Sequence, residues 1–239
     1  MYVSSDIIDL KAFKIRGATN AVLSLLESNG GEDPSSMNVI THSSGNHAQA
    51  LALASRQVGA NCQVVMPSTA PSVKKAAVKG YGALVTECQP TLEAREATTN
   101  RIRDEIERSS SGKCHIIPPY DDPRIIAGQG TAALELFEQA KELGRPLDVL
   151  LTPVGGGGLL SGCALTAKGL DPSVVVIGAE PLGESVKHPM KELDTYYCHR
   201  CGGRLSVLYK RDFSPIRRTE NDCGWFTDIL GQLYVPSDP

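Results

Sequence analysis

A chain of 239 residues, 41% of them hydrophobic, is long enough to bury a core of its own. Its formal net charge of −3, with no long basic run, removes the electrostatic case for nucleic acid or an anionic membrane surface. No apolar run approaches the roughly 18 residues of a membrane-spanning helix, and the opening MYVSSDIIDLKAFK has no basic start followed by an apolar stretch. The expectation is therefore a cytoplasmic protein with a small-molecule partner. The cysteines are odd in number and scattered, several of them in strand-like runs where cysteine behaves as a small hydrophobe, so reduced thiols are expected.

In chain order, the first element is LKAFKIRGATNAV, which reads as a helix entered at Lys14 and running through Leu25. Taken alone, Lys14 is a solvated lysine among basic neighbours. From Asn38 to about Pro181 short β-branched runs alternate with helical stretches. NVITHSS, CQVVMP, ALVTECQ, CHIIPP, LDVLLTPV and VVVIGAEP read as strands, apolar throughout, which predicts burial on both faces. Between them HAQALALASRQVG, APSVKKAAVKGYG, TLEAREATTNRIRDEIERS and TAALELFEQAKELG read as helices, each closing near glycine or a polar cluster. The pattern predicts an α/β protein with a parallel sheet. After about Gly183 regular periodicity stops.

The run TPVGGGGLLSG puts four glycines, Gly155 to Gly158, between a strand and a helix. Bare backbone N–H groups at a helix start bind phosphate. The competing reading is a tight turn with close packing, for which one or two glycines suffice. A dinucleotide fingerprint requires G-x-G-x-x-G with an acidic residue about 20 positions on. Glu180 sits suggestively, but Gly155 and Gly157 are followed by Leu160, and Gly156 and Gly158 by Ser161, so a nicotinamide dehydrogenase is disfavoured. A P-loop lacks its Gly-Lys-Ser/Thr. One compact phosphate, on a sugar or a cofactor, remains.

With FKIRGA, THSSGNHAQA and PVGGGG in this order, the chain resembles the fold-type II pyridoxal-phosphate enzymes, most closely the branch holding serine racemase and the serine/threonine dehydratases. DDPRIIAGQGTAALEL is similar to a further family segment. The resemblance implies a tryptophan-synthase-β-like fold of two open parallel-sheet α/β domains: an incomplete, discontinuous large domain (1–37 and 126–183), a small domain (38–125) and an atypical tail (184–239). It also implies pyridoxal 5′-phosphate as cofactor, held covalently by Lys14, with Phe13 against its ring and Gly155, Gly156, Gly157, Gly158 and Leu159 around its phosphate. A partly desolvated lysine suits this role because its amine must be neutral to attack a carbonyl. Ser43, Ser44, Gly45, Asn46 and His47 would grip the substrate carboxylate, with Asn46 also on the cofactor. Ser44 occupies the position of the second acid/base in racemases, opposite Lys14. For His42 and His47, bonding to nearby backbone competes with a catalytic role.

The resemblance further implies a divalent cation, Mg or Ca, at Glu180 and an acidic residue six positions on; Val186 stands there and cannot ligate, so that site reads as incomplete. Family members ordinarily extend further on both sides of the matched motifs, and the tail shows no partner for the cofactor's pyridine nitrogen. The implied activity is deamination of serine or threonine to a 2-oxo acid and ammonia, with serine racemisation beside it and a homodimer as the implied assembly. The alternative is a truncated, catalytically dead or regulatory fragment of such an enzyme. In the tail, Cys198 and Cys201, with His199, Cys223 and His188, resemble half a zinc knuckle, but no second CxxC completes it.

Overall fold

The computed structural model describes residues 12–28, 33–109 and 112–179, with the strand segments 196–197 and 204–205. It divides between Pro119 and Tyr120 into two compact units. Glu180, Val186, the Cys198/Cys201 motif and the remainder of the tail lie outside the described residues, apart from a short antiparallel pairing of Tyr196–Tyr197 with Arg204–Leu205.

The first unit opens with helix α1 (Lys14–Ser28). Ile15, Ala18, Ala21, Val22 and Leu25 recur at helical spacing and are buried, and the helix packs on α2 (Asn46–Val58), whose alanine- and leucine-rich side permits close approach. Each large apolar side chain buried there contributes about 1.5 to 3 kcal/mol. Strands β1 (Asn38–His42), β2 (Asn61–Pro67), β3 (Leu84–Cys88) and β4 (Cys114–Ile116) form one sheet in the order β3-β2-β1-β4, and every pairing is parallel. Helices α2, α3 (Ser72–Gly80) and α4 (Leu92–Arg108) supply the crossovers that parallel strands require. The chain steps outward from β1 through β2 to β3, then returns to β4 on the other side of β1. The gap between the carboxyl ends of β1 and β4 is thus a topological switch point, the place where open α/β sheets bind ligands.

The second unit holds helix α5 (Pro123–Glu142), strand β5 (Val149–Pro153), helix α6 (Gly158–Leu170) and strand β6 (Val175–Ala179), with β5 and β6 paired in parallel. Helices α5 and α6 meet through glycine: a Cβ on Gly130 would stand 2.5 Å from Thr166 Oγ1, and one on Gly162 would stand 2.6 Å from the Gly130 nitrogen. Leu150, Leu160, Cys163, Ala167, Val174 and Val176 form the core beneath them.

The expectation of strands buried on both faces holds for β1, whose first four residues are buried, and fails for β5. There Leu150 and Thr152 face the core, while Val149 and Leu151 are 50% and 63% exposed. A two-stranded sheet with its helix on one side leaves the other side to solvent. Leu84, at the start of the edge strand β3, is exposed for a related reason.

Candidate functional site

Lys14 is the first residue of α1, and its half-buried ammonium donates to the Pro119 carbonyl at 2.5 Å. Its Nζ lies 5.4 Å from the centroid of the Phe13 ring, which is itself 39% exposed. Burial lowers the Lys14 pKa below the ordinary lysine value of 10.5, because taking the charged form out of water is costly. The side chain that looked like a routine solvated lysine is therefore anchored and biased toward a neutral amine.

The turn from β1 into α2 carries the serine and asparagine candidates. Ser43 Oγ accepts from the Gly45 N–H at 3.3 Å, which folds the loop back on itself. Ser44 and Gly45 are half-buried and Asn46 is exposed at the first helical position. Gly45 makes no side-chain cap, and a Cβ placed on it would meet nothing within 4 Å. The first-turn N–H groups of α2 have no acceptors within their own helix, and the helix dipole adds partial positive charge there. His47 is 2% exposed, and its Nε2 donates to the Ile117 carbonyl at 3.1 Å. Ile117 in turn donates its N–H to the Ile40 carbonyl at 2.8 Å. The backbone bond anticipated for this histidine exists, but it reaches a strand end 70 residues away and not a neighbour. It ties α2 to the segment after β4. The ring is committed to the fold, so what His47 presents at the helix start is its backbone. His42 is half-buried at the end of β1, opposite Val65.

In the second unit the glycine turn joins β5 to α6. Gly157 is the N-cap of α6 with φ 87°, a left-handed conformation that L side chains adopt only at a cost. A Cβ on Gly156 would stand 2.7 Å from Tyr120 Cε1 and nearer still to Cγ and Cδ1, inside the ring. One on Gly158 would stand 2.6 Å from the Tyr120 carbonyl oxygen. Only Gly155 is bare without such a demand: its Cβ would meet nothing within 4 Å. Close packing thus accounts for Gly156 and Gly158 and the reversed backbone for Gly157, while neither demand applies to Gly155. Leu159 is half-buried, its side chain against the core and its N–H in the first turn of α6.

Each unit thus offers a helix start without a side-chain cap, approached through glycine, and the first adds an amine with lowered pKa. Taken unit by unit, the amine suits a carbonyl and each helix start suits an anion. Reading the sequence did not single out Pro119, Ile117 or Tyr120, although Pro118-Pro119-Tyr120 follows a strand directly and so marked a rigid segment at a sheet end. Among the described residues, no three histidine, cysteine, aspartate or glutamate side chains group as metal ligands, and no helix is long and apolar enough to cross a membrane.

The chain matches the family of pyridoxal-phosphate dependent enzymes over residues 8–207, and it belongs to that family. It is 53% identical over 172 residues to the serine racemase of Dictyostelium discoideum, covering 72% of this chain and 48% of that one. It is 46% identical over 170 residues to the beta-hydroxyaspartate dehydratase of Paracoccus denitrificans, covering 71% of this chain and 49% of that one. The crystal structure of the Dictyostelium enzyme superposes with a TM-score of 0.62, covering 72% of this chain and 51% of that chain. The structure of a processed threonine deaminase from Solanum lycopersicum, 35% identical, superposes with a TM-score of 0.60 and covers 73% of this chain and 46% of that one. The chain spans about half the length of the curated relatives it matches. The fold expected from the motifs, parallel α/β of the fold-type II kind, is what these similarities show.

Proposed function

We propose that this chain binds pyridoxal 5′-phosphate and acts on small hydroxy amino acids, deaminating serine or threonine to a 2-oxo acid and ammonia with racemisation of serine as a related activity. The observation that carries the proposal is the Lys14 amine, partly buried, lowered in pKa and oriented by the Pro119 carbonyl. When bound, the cofactor supplies an electron sink that acidifies the substrate Cα–H. Lys14, drawn toward its neutral form, takes that proton. The first turn of α2, with Ser43, Gly45, Asn46 and the His47 backbone, holds the substrate carboxylate. Ser44 holds the second proton that racemisation needs and elimination does not. The glycine turn and the Leu159 N–H hold the phosphate by backbone donors and the α6 dipole.

The cytoplasm is the proposed compartment. Cys62 is pushed up to about 12 and Cys114 to about 11, chiefly by burial, so neither forms a reactive thiolate. The proposed assembly is a homodimer, as the resemblance implies. The division into a large domain (1–37, 126–183) and a small one (38–125) also belongs to the proposal, as does the cation site at Glu180, incomplete at Val186.

A second reading, a fragment that binds the cofactor or a longer homologue without turnover, is favoured by the exposed Val149 and Leu151 on β5. Pyruvate and 2-oxobutyrate formation from L-serine and L-threonine, with added cofactor, separates the two. Cofactor-dependent product that disappears in Lys14→Ala is expected of the enzyme. Cofactor binding with no product establishes the second reading, and no binding sinks the enzyme and leaves of the second reading only the fragment that binds a longer homologue.

A further inference from the structure

The glycine turn raises a question that phosphate binding alone does not answer: what holds a run of four glycines, among the most adaptable backbone there is, in one conformation? The residues around it give a specific answer. The Tyr120 ring occupies the space a Gly156 side chain would need, and the Tyr120 backbone occupies the space at Gly158. Gly157 between them is left-handed at φ 87°. Tyr120 stands just ahead of α5, whose start is secured by Asp122: its carboxylate accepts from the Arg124 N–H at 2.8 Å and pairs with the Arg124 guanidinium at 2.7 Å. The aromatic ring under the turn is therefore carried by an anchored backbone, while Gly155, with no neighbour within 4 Å of its Cβ position, stands clear of it.

We infer that Tyr120 is the positioning residue of the phosphate turn, and that the four glycines divide their work. Gly156 and Gly158 are bare so that Tyr120 can lie against the turn, Gly157 is bare so that the backbone can reverse, and Gly155 is bare for the ligand. The inference rests on the proposed binding of pyridoxal 5′-phosphate and deepens it. A turn held by a ring spends no ligand-binding energy on ordering its N–H groups, which is how preorganisation raises affinity. Tyr120 touches no reacting atom in this role. Its effect is confined to the phosphate end.

The test compares, for the full chain, the affinity for pyridoxal 5′-phosphate with that for pyridoxal, which lacks the phosphate, by equilibrium dialysis. The ratio of the two isolates the phosphate contribution, and a general loss of structure would lower both affinities together. In the unmodified chain the ratio is expected to be large. Tyr120→Phe, which keeps the ring, should preserve it; Tyr120→Ala and Tyr120→Leu should reduce it at least tenfold while pyridoxal binding persists. Gly155→Ala should reduce it as much with an unchanged melting temperature, because its side chain meets no protein atom. Gly156→Ala should lower the melting temperature, and adding Tyr120→Ala should restore part of it by vacating the space. A ratio near one in the unmodified chain refutes the phosphate reading itself. A large ratio that survives Tyr120→Ala and Tyr120→Leu, or a Gly156→Ala defect that Tyr120→Ala does not relieve, overturns the role of Tyr120 and leaves phosphate binding standing.

Discussion

Two strand-to-helix turns in this molecule share a plan and differ in material. The turn into α2 is built of Ser43, Ser44, Gly45 and Asn46, and the turn into α6 of four glycines. Both deliver a helix start without a side-chain cap. Helices α4 and α5 do the opposite: Thr91 accepts from Ala94 N–H at 3.1 Å and Asp122 from Arg124 N–H at 2.8 Å, closing each start with its own side chain. The contrast separates starts closed by their own side chains from starts approached through glycine; a missing cap alone does not mark a site, since α3, with Pro71 as its N-cap, has none either. It also separates the two glycine-approached starts. The serine turn has hydroxyls that can move a proton, whereas the glycine turn has only N–H groups and can do no more than attract and hold an anion.

The ligand-facing side of this contrast stands or falls first with Lys14. Lys14→Ala should abolish covalent capture of the cofactor, read as loss of the visible absorbance band and of the borohydride-fixed adduct located by peptide mass spectrometry; an adduct at another lysine would refute the assignment. Next, Ser44→Ala should reduce serine racemisation by about 10²- to 10⁴-fold, the usual range for a lost acid/base group, while elimination falls much less. Chiral chromatography of serine alongside pyruvate release measures both, and an equal fall in the two would remove the proton-moving distinction between the turns.

At the capped starts the effects are on stability. Asp122→Ala should cost about 1 to 2 kcal/mol, since it loses a cap and a largely buried pairing with Arg124, and Thr91→Ala about 1 kcal/mol at an exposed cap. Urea unfolding measures each, and a Thr91→Ala cost above that of Asp122→Ala would show that partner burial does not rank these caps.

The smallest expected effect is a pH dependence. Because Lys14 has a folded pKa below its ordinary 10.5, the unfolded chain binds more protons between the two values, so stability rises with pH across that window. Lys14→Met should flatten the rise in a chemical-denaturation series. In the intact chain, the rate of cofactor capture should climb with pH to a midpoint below 10.5, as the neutral fraction of the amine grows. A midpoint at the ordinary value would mean that burial at Lys14 has no chemical consequence.

How legible all this was depends on how local each feature is. The alternating strands and helices of residues 38–179 could be read in the chain because hydrophobic period and turn residues are short-range properties. The observed elements fall within a few residues of the expected ones except α5, which begins at Pro123, well ahead of the expected Thr131, because Asp122 caps it there. The motifs around Lys14, Ser43 to His47 and Gly155 to Gly158 were legible for the same reason. Burial was less so: β5 and β1 are equally apolar runs, yet only β1 lies in the middle of a sheet, and nothing in five consecutive residues records how many neighbours a strand will have.

Residue order was thus enough to establish the succession of elements, the parallel α/β class, the family and the residue types available for chemistry. Folding added the switch point between β1 and β4, the bond from His47 to Ile117, the carbonyl of Pro119 against Lys14 and the ring of Tyr120 against Gly156. One cause is common to all four. Each joins groups separated by tens of residues, so it exists only once the sheet order and the helix packing have brought distant backbone within a few ångströms.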